Sequence, residues 1–200
     1  MPYSLQCACG KLKGEVSDTE HANHAVCYCK DCQAFAHFLG RQSEILDERG
    51  GSELVQISPG KLRFIEGAEN LACVRLAPAG LVRWYARCCN TPIGNTLGTP
   101  KLPFVGLLHT CLGGPEHPLG EAFGPVRCQL NTESAKGLPK PSEVGVPGTI
   151  LWFLRTLIGA RLDGSYKRTP FFDRAGSPVV KPHVLSAEER RDLGEAVDRA

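Results

Sequence analysis

The sequence predicts a mainly β, loop-rich protein of antiparallel, hairpin-connected strands, and three observations carry that reading. The chain has 22 glycines and 15 prolines in 200 residues, well above the roughly 12 % of average usage, so turns are frequent. Short runs of β-branched and apolar residues fall between those turns. Only one stretch in the first two thirds of the chain, just after residue 30, carries a helical period.

In chain order the predicted strands are KLKGEV (11–16), HAVCYC (24–29), ELVQI (53–57), KLRFI (61–65), LACVRL (71–76), GLVRWYA (80–86) and FVGLLH (104–109). Each is bounded by turn residues in the manner of strands joined by hairpins. Ser58-Pro59-Gly60 and Pro78-Ala79-Gly80 supply two of the breaks. A helix is predicted over 31–39, where Cys32, Phe35, Ala36 and Leu39 recur at helical spacing. Character changes near residue 135, which predicts a β domain over 1–134, a Pro/Gly-rich linker over 135–148 and a helical extension over 149–200. Within that extension TILWFLRTLIGARL (149–162) reads as a helix broken only by Gly159. It is shorter than the about 20 apolar residues a bilayer span needs. It is expected to dock on the β domain or on a protein partner, with an interfacial membrane position as the alternative. Ser186 and Glu189 have capping-box spacing and predict a polar C-terminal helix.

Function begins with the charge and the cysteines. A net charge of +2 gives no electrostatic reason for an obligatory nucleic-acid partner. The N-terminus has neither a basic region followed by an apolar run nor a small-residue cleavage site, which predicts a cytoplasmic location. Ten cysteines in a reducing compartment, on a chain large enough to build its own core, point to metal before disulfides. They cluster as Cys7-x-Cys9-Gly10, Cys27-x-Cys29-x-x-Cys32 and Cys88-Cys89. Clustered thiolates are the usual tetrahedral zinc donors, because near neighbours in the chain reach one ion without distant closure.

Three segments together, CACG (7–10), CYCKDCQ (27–33) and CNTP (89–92), resemble the glutathione-dependent formaldehyde-activating enzyme and centromere protein V family over about residues 5 to 110. The resemblance implies an antiparallel β-tent fold around two zinc ions, to which the spacing adds the short helix after the triplet. It implies one structural site made of the C-x-C and the late cysteines. It implies a second, open site in which Cys27, Cys29 and Cys32 leave one coordination place for catalysis. The substrates implied are glutathione or another small thiol and a small aldehyde, formaldehyde in the family, joined by carbon–sulfur bond formation as a lyase. Two positions depart from the family pattern: Ala86 stands where the late motif has its first cysteine, and Tyr28 where histidine is common in the triplet. The fourth structural ligand is then Cys88, or Cys73 or another thiol, or is missing.

Other residues have ordinary readings beside functional ones. Cys73, Cys111 and Cys128 stand singly and read as packing. His37 and His109 are within plausible reach of the triplet but read first as surface or satisfied histidines. Lys30, Arg41 and Arg63 offer charge to glutathione carboxylates, with solvated surface as the default. Besides the zinc lyase, two other functions fit the same residues: a zinc-stabilised protein-interaction module without turnover, and a glutathione carrier.

Overall fold

The computed structural model describes residues 2–113 and 118–199. In chain order its elements are β1 (Tyr3–Gln6), β2 (Lys13–Val16), β3 (Asn23–Cys27), α1 (Lys30–Phe38), α2 (Gln42–Ile45), β4 (Ser52–Ile57), β5 (Leu62–Glu66), β6 (Leu71–Arg75), β7 (Val82–Ala86), β8 (Thr91–Thr96), β9 (Val105–Leu108), α3 (Leu119–Phe123), β10 (Cys128–Leu130), α4 (Val146–Leu162), β11 (His183–Val184) and α5 (Ala187–Arg199). The protein is mainly β, with helices after the triplet and towards the C-terminus. A small sheet runs β1-β2-β5, and a large one runs β10-β3-β4-β9-β8-β7-β6-β11.

Antiparallel pairing holds everywhere except at the two edges of the large sheet. There β10 lies parallel to β3 and β11 parallel to β6, which corrects the purely antiparallel expectation. Both edge strands arrive after long excursions of the chain, so no hairpin fixes their direction.

The large sheet is covered on both faces, and this explains runs such as LACVRL that do not alternate cleanly. On one face Val82, Trp84, Ile93, Val105 and Leu107 pack with Leu5, Leu12 and Val16 of the small-sheet region. On the other, Val74, Leu76 and Leu108 pack with Phe35 and Ala36 of α1, with Leu39 just after it, and with Ile45 and Leu185. The first core also holds Phe171, whose ring lies 4.9 Å from that of Trp84, and Phe172. The chain after α4 thus returns into the β core.

Local signals explain the ends of several elements. Ser186 accepts from the Glu189 N–H and Glu189 accepts from the Ser186 N–H, so the capping box is formed at the start of α5. β8 was hidden by Pro92 and Gly94. Pro92 sits where the β7–β8 register shifts, and a side chain at Gly94 would meet the Gly106 carbonyl at 3.0 Å.

A buried histidine paired with a partly exposed glutamate makes stability depend on pH. His24 is buried, and its two ring nitrogens lie 2.7 Å from the Glu53 carboxylate and 2.7 Å from the Gly124 carbonyl. Both partners accept, so the imidazolium form satisfies both. The Glu53 hydrogen bond raises the His24 pKa against the opposing cost of burial, and the same bond lowers that of Glu53. The histidine contribution is whole below its unfolded pKa of about 6.5 and is lost as pH rises through the raised folded value. The glutamate contribution is whole above about 4.5 and fades as pH falls through its lowered folded value. The stability advantage over His24→Gln is therefore expected to peak in mild acid and shrink towards alkaline pH in urea titrations. A difference flat from pH 5 to 9, set around that about 6.5 reference, counts against the pair.

Candidate metal centres

Cys7 and Cys9 follow β1, and Cys88 and Cys89 lie in the turn between β7 and β8. In a strand, neighbouring side chains point to opposite faces. Beyond Ala86 the chain leaves the strand, and Asn90 takes a left-handed conformation with φ 53°, so both thiols of the adjacent pair reach one point. Sulfur separations are 3.6 Å for Cys7–Cys9, 3.8 Å for Cys7–Cys88, 3.3 Å for Cys9–Cys88 and 3.8 Å for Cys88–Cys89. Four thiolates about 2.3 Å from a zinc ion define tetrahedral edges of about 3.8 Å. The four sulfurs lie within 4.8 Å of one another and could hold a metal ion.

This geometry decides among the ligand sets the sequence left open. Cys88 is the fourth sulfur of the group that could hold a metal ion. Ala86 is fully buried in the core, and Cys73 is occupied with the Val180 carbonyl, 3.3 Å away. The site is braced from outside: Leu12 N–H donates to Cys7 Sγ at 3.3 Å, and Ala8 N–H to Thr91 Oγ1 at 2.9 Å. Arg41, read as a surface cation, donates to the Cys89 carbonyl at 2.9 Å. Burial opposes ionisation of Cys89, yet hydrogen bonds from the Thr91 side chain and the Cys9 and Thr91 backbones bring its pKa down to about 6. Burial and the neighbouring thiols raise the pKa of Cys88.

The triplet is assembled differently. Cys27 ends β3, Cys29 is the N-cap of α1, and Cys32 lies in the first turn of that helix. A helix N-terminus favours thiolate charge. The three sulfurs also lie within 4.8 Å of one another and could hold a metal ion, and among the described residues no other His, Cys, Asp or Glu joins them. Cys27 and Cys32 are buried and Cys29 is half-buried, so the group is reached from the side of Cys29. Shared hydrogen bonds concentrate charge on Cys32, whose pKa is depressed first by Cys27 and Cys29 and further by Arg83. Cys29 is raised in turn by its bonds with Cys27 and Cys32.

Arg83 and Asn131 had no place in the sequence reading of the site. Arg83 Nη1 lies 3.9 Å from Cys32 Sγ and 3.3 Å from Asn95 Oδ1, and the guanidinium sits over the Phe35 ring. Its side chain is 2 % exposed, whereas its carboxylate partner Asp31, at 3.6 Å, is largely in water. A buried cation needs a countercharge, and Cys32, on which the charge of the triplet concentrates, faces it. The available signal was an arginine inside an apolar strand whose neighbours are buried on both faces. Asn131 Nδ2 reaches Cys27 Sγ at 3.4 Å from a left-handed backbone position. Gln33 holds that loop in place by donating to the carbonyls of Tyr28 and Ser134.

The remaining candidates fall elsewhere. His109 Nδ1 bonds the Glu53 carbonyl at 3.2 Å. His37 is outside the triplet, and burial lowers its pKa. Lys30 pairs with Asp198 of α5, and Arg63 with Glu15. The Tyr28 phenol faces Asp47, and burial raises its pKa. Cys111 bonds the Leu108 carbonyl, and Cys128 packs among Ala25, Cys27 and Cys32.

Arg83→Met is expected to weaken metal binding at the triplet about 10- to 100-fold, the usual cost of removing a group that hydrogen-bonds a ligand. Competition with a chromophoric chelator measures it. An unchanged affinity there means that Arg83 serves packing alone.

Residues 2–182 match a sequence family described as a family of unknown function, DUF6151. No curated protein matches the chain. A crystal structure of a Rhodobacter sphaeroides protein is similar at 20 % identity, covering 64 % of this chain and 99 % of that one, with a TM-score of 0.40.

Proposed function

We propose, for a chain that belongs to the DUF6151 family of unknown function, that it is a two-zinc protein of the β-tent type whose triplet receives a small thiol. The observation that carries this is the asymmetry of the two groups: four sulfurs in one, three in the other with no fourth donor among the described residues. A closed four-thiolate set is a structural site, whereas three protein ligands leave a place for an exchangeable one. The sequence resemblance to glutathione-dependent formaldehyde-activating enzymes then supports glutathione as the thiol, a small aldehyde as co-substrate and carbon–sulfur lyase chemistry.

A zinc ion at the triplet would supply Lewis acidity, favouring the thiolate form of an incoming thiol. The chain's own residues do the rest. The N-terminus of α1 and the buried Arg83 offset the negative charge of the three cysteines, and Asn131 orients Cys27 by its N–H to sulfur bond. Cys27 and Cys32 lie under protein while Cys29 borders solvent, which directs a ligand to one side of the group.

Protein prepared without chelators is expected to hold zinc near two equivalents, from the two cysteine groups. Exchange NMR on an equilibrium mixture of glutathione and formaldehyde tests the activity, since product accumulates without a catalyst. Faster interconversion that vanishes in Cys29→Ser supports the lyase. Binding without acceleration indicates a carrier, and no binding an interaction module.

A further inference from the structure

α4 is 17 residues long and mostly apolar, with Arg155 and Arg161 among its exposed residues, and it buries one side chain, Ala160. An apolar stripe on a helix is normally packed against a core. Here Phe153 packs on Phe104 and the Trp152 indole donates to the His21 carbonyl, while a cleft of about 760 Å³ runs beneath the helix. The outer side is a stripe of Ile150, Leu154, Ile158 and Leu162 at i, i+4 spacing, between 46 % and 85 % exposed.

Charge identifies what covers the stripe. Residues 140–182 carry seven Lys/Arg against three Asp/Glu, a net +4, in a chain whose total is +2. At the Leu162 end Arg161 and Lys167 both lie over the Tyr166 ring, at 4.9 and 5.7 Å. Exposed apolar residues beside cations and an amphipathic aromatic ring are what a helix in the plane of a membrane interface presents. A second copy of the chain would bring two such basic segments together, which repel. Among the described residues no helix is long and apolar enough to cross a membrane, and α4 is only about 26 Å long.

We infer that α4 lays its Ile150–Leu154–Ile158–Leu162 stripe into the surface of an anionic bilayer, with Arg161 and Lys167 at the headgroups. The test is co-sedimentation of the full chain with vesicles of phosphatidylcholine alone and of phosphatidylcholine with about one third phosphatidylserine. Binding is expected to the anionic vesicles, to weaken with added salt, and to fall about tenfold in Ile158→Glu, which removes an apolar contact. Arg161→Glu is expected to lower binding to the anionic vesicles only. Ile158 is 58 % exposed, so an unchanged thermal transition shows that its substitution left the fold intact. Failure to bind anionic vesicles, equal binding by Ile158→Glu, or a concentration-dependent dimer that this variant dissociates would overturn the inference.

Discussion

Cys88→Ser is expected to give insoluble or unfolded protein, while Cys29→Ser stays folded and loses one metal equivalent. The four-cysteine group ties the segment after β1 to the β7–β8 turn across 81 positions of chain. Closing so long a loop is costly in entropy, and the bond that holds it shut acts on the whole fold. Structural zinc contributes an apparent binding energy of about 10–16 kcal/mol, as large as the about 5–15 kcal/mol net stability of ordinary domains. A serine hydroxyl replaces a thiolate poorly and leaves a three-sulfur remnant. Cys9→Ser should behave like Cys88→Ser. The triplet joins positions only a few residues apart, so its loss relaxes little chain. Soluble yield, circular dichroism and elemental analysis read the contrast, and equal behaviour of Cys88→Ser and Cys29→Ser would sink the division of roles.

The second large effect is expected at Trp84→Ala. Trp84 is fully buried, and its indole N–H donates to Thr96 Oγ1 at 2.9 Å. Its ring meets Phe171 at 4.9 Å and Phe172 at 6.2 Å. Removing a buried tryptophan costs about 3–5 kcal/mol through lost contacts and the cavity left behind. For a chain of this size that corresponds to a fall in Tm of roughly 10 °C. The orphaned Thr96 hydroxyl adds to the cost. The segment carrying Phe171 and Phe172 should also become more open to proteases, since its anchor is gone. A fall of only a degree or two, with unchanged proteolysis, would mean that the C-terminal segment is not held by this contact.

Fold and site were legible in the sequence to different depths. The strands at 24–29, 53–57, 71–76 and 104–109 carry β-branched or apolar residues between turns, and each maps onto β3, β4, β6 or β9 within two residues at either end. β1, β10 and β11 are two to four residues long and too short to show a period. Their existence depends on partners distant in the chain. The cysteine groupings were visible because the thiols cluster locally in the chain. Arg83, 51 residues from Cys32, has no local pattern that ties it to the triplet.

Residue types and spacing by themselves determined a mainly β chain, its turns, the helix after the triplet, the capped C-terminal helix and the grouping of thiols. These are properties of a few neighbouring residues, set by backbone preference and short-range reach. Tertiary structure alone decided that Cys88 rather than Cys73 completes the four-sulfur group. It alone decided that Arg83 lies under the triplet, that the sheet edges run parallel, and that Phe171 returns to the β core while the outer side of α4 stays bare. Those outcomes depend on which distant surfaces meet, and that is fixed by packing both faces of one sheet at once, a condition no single segment encodes.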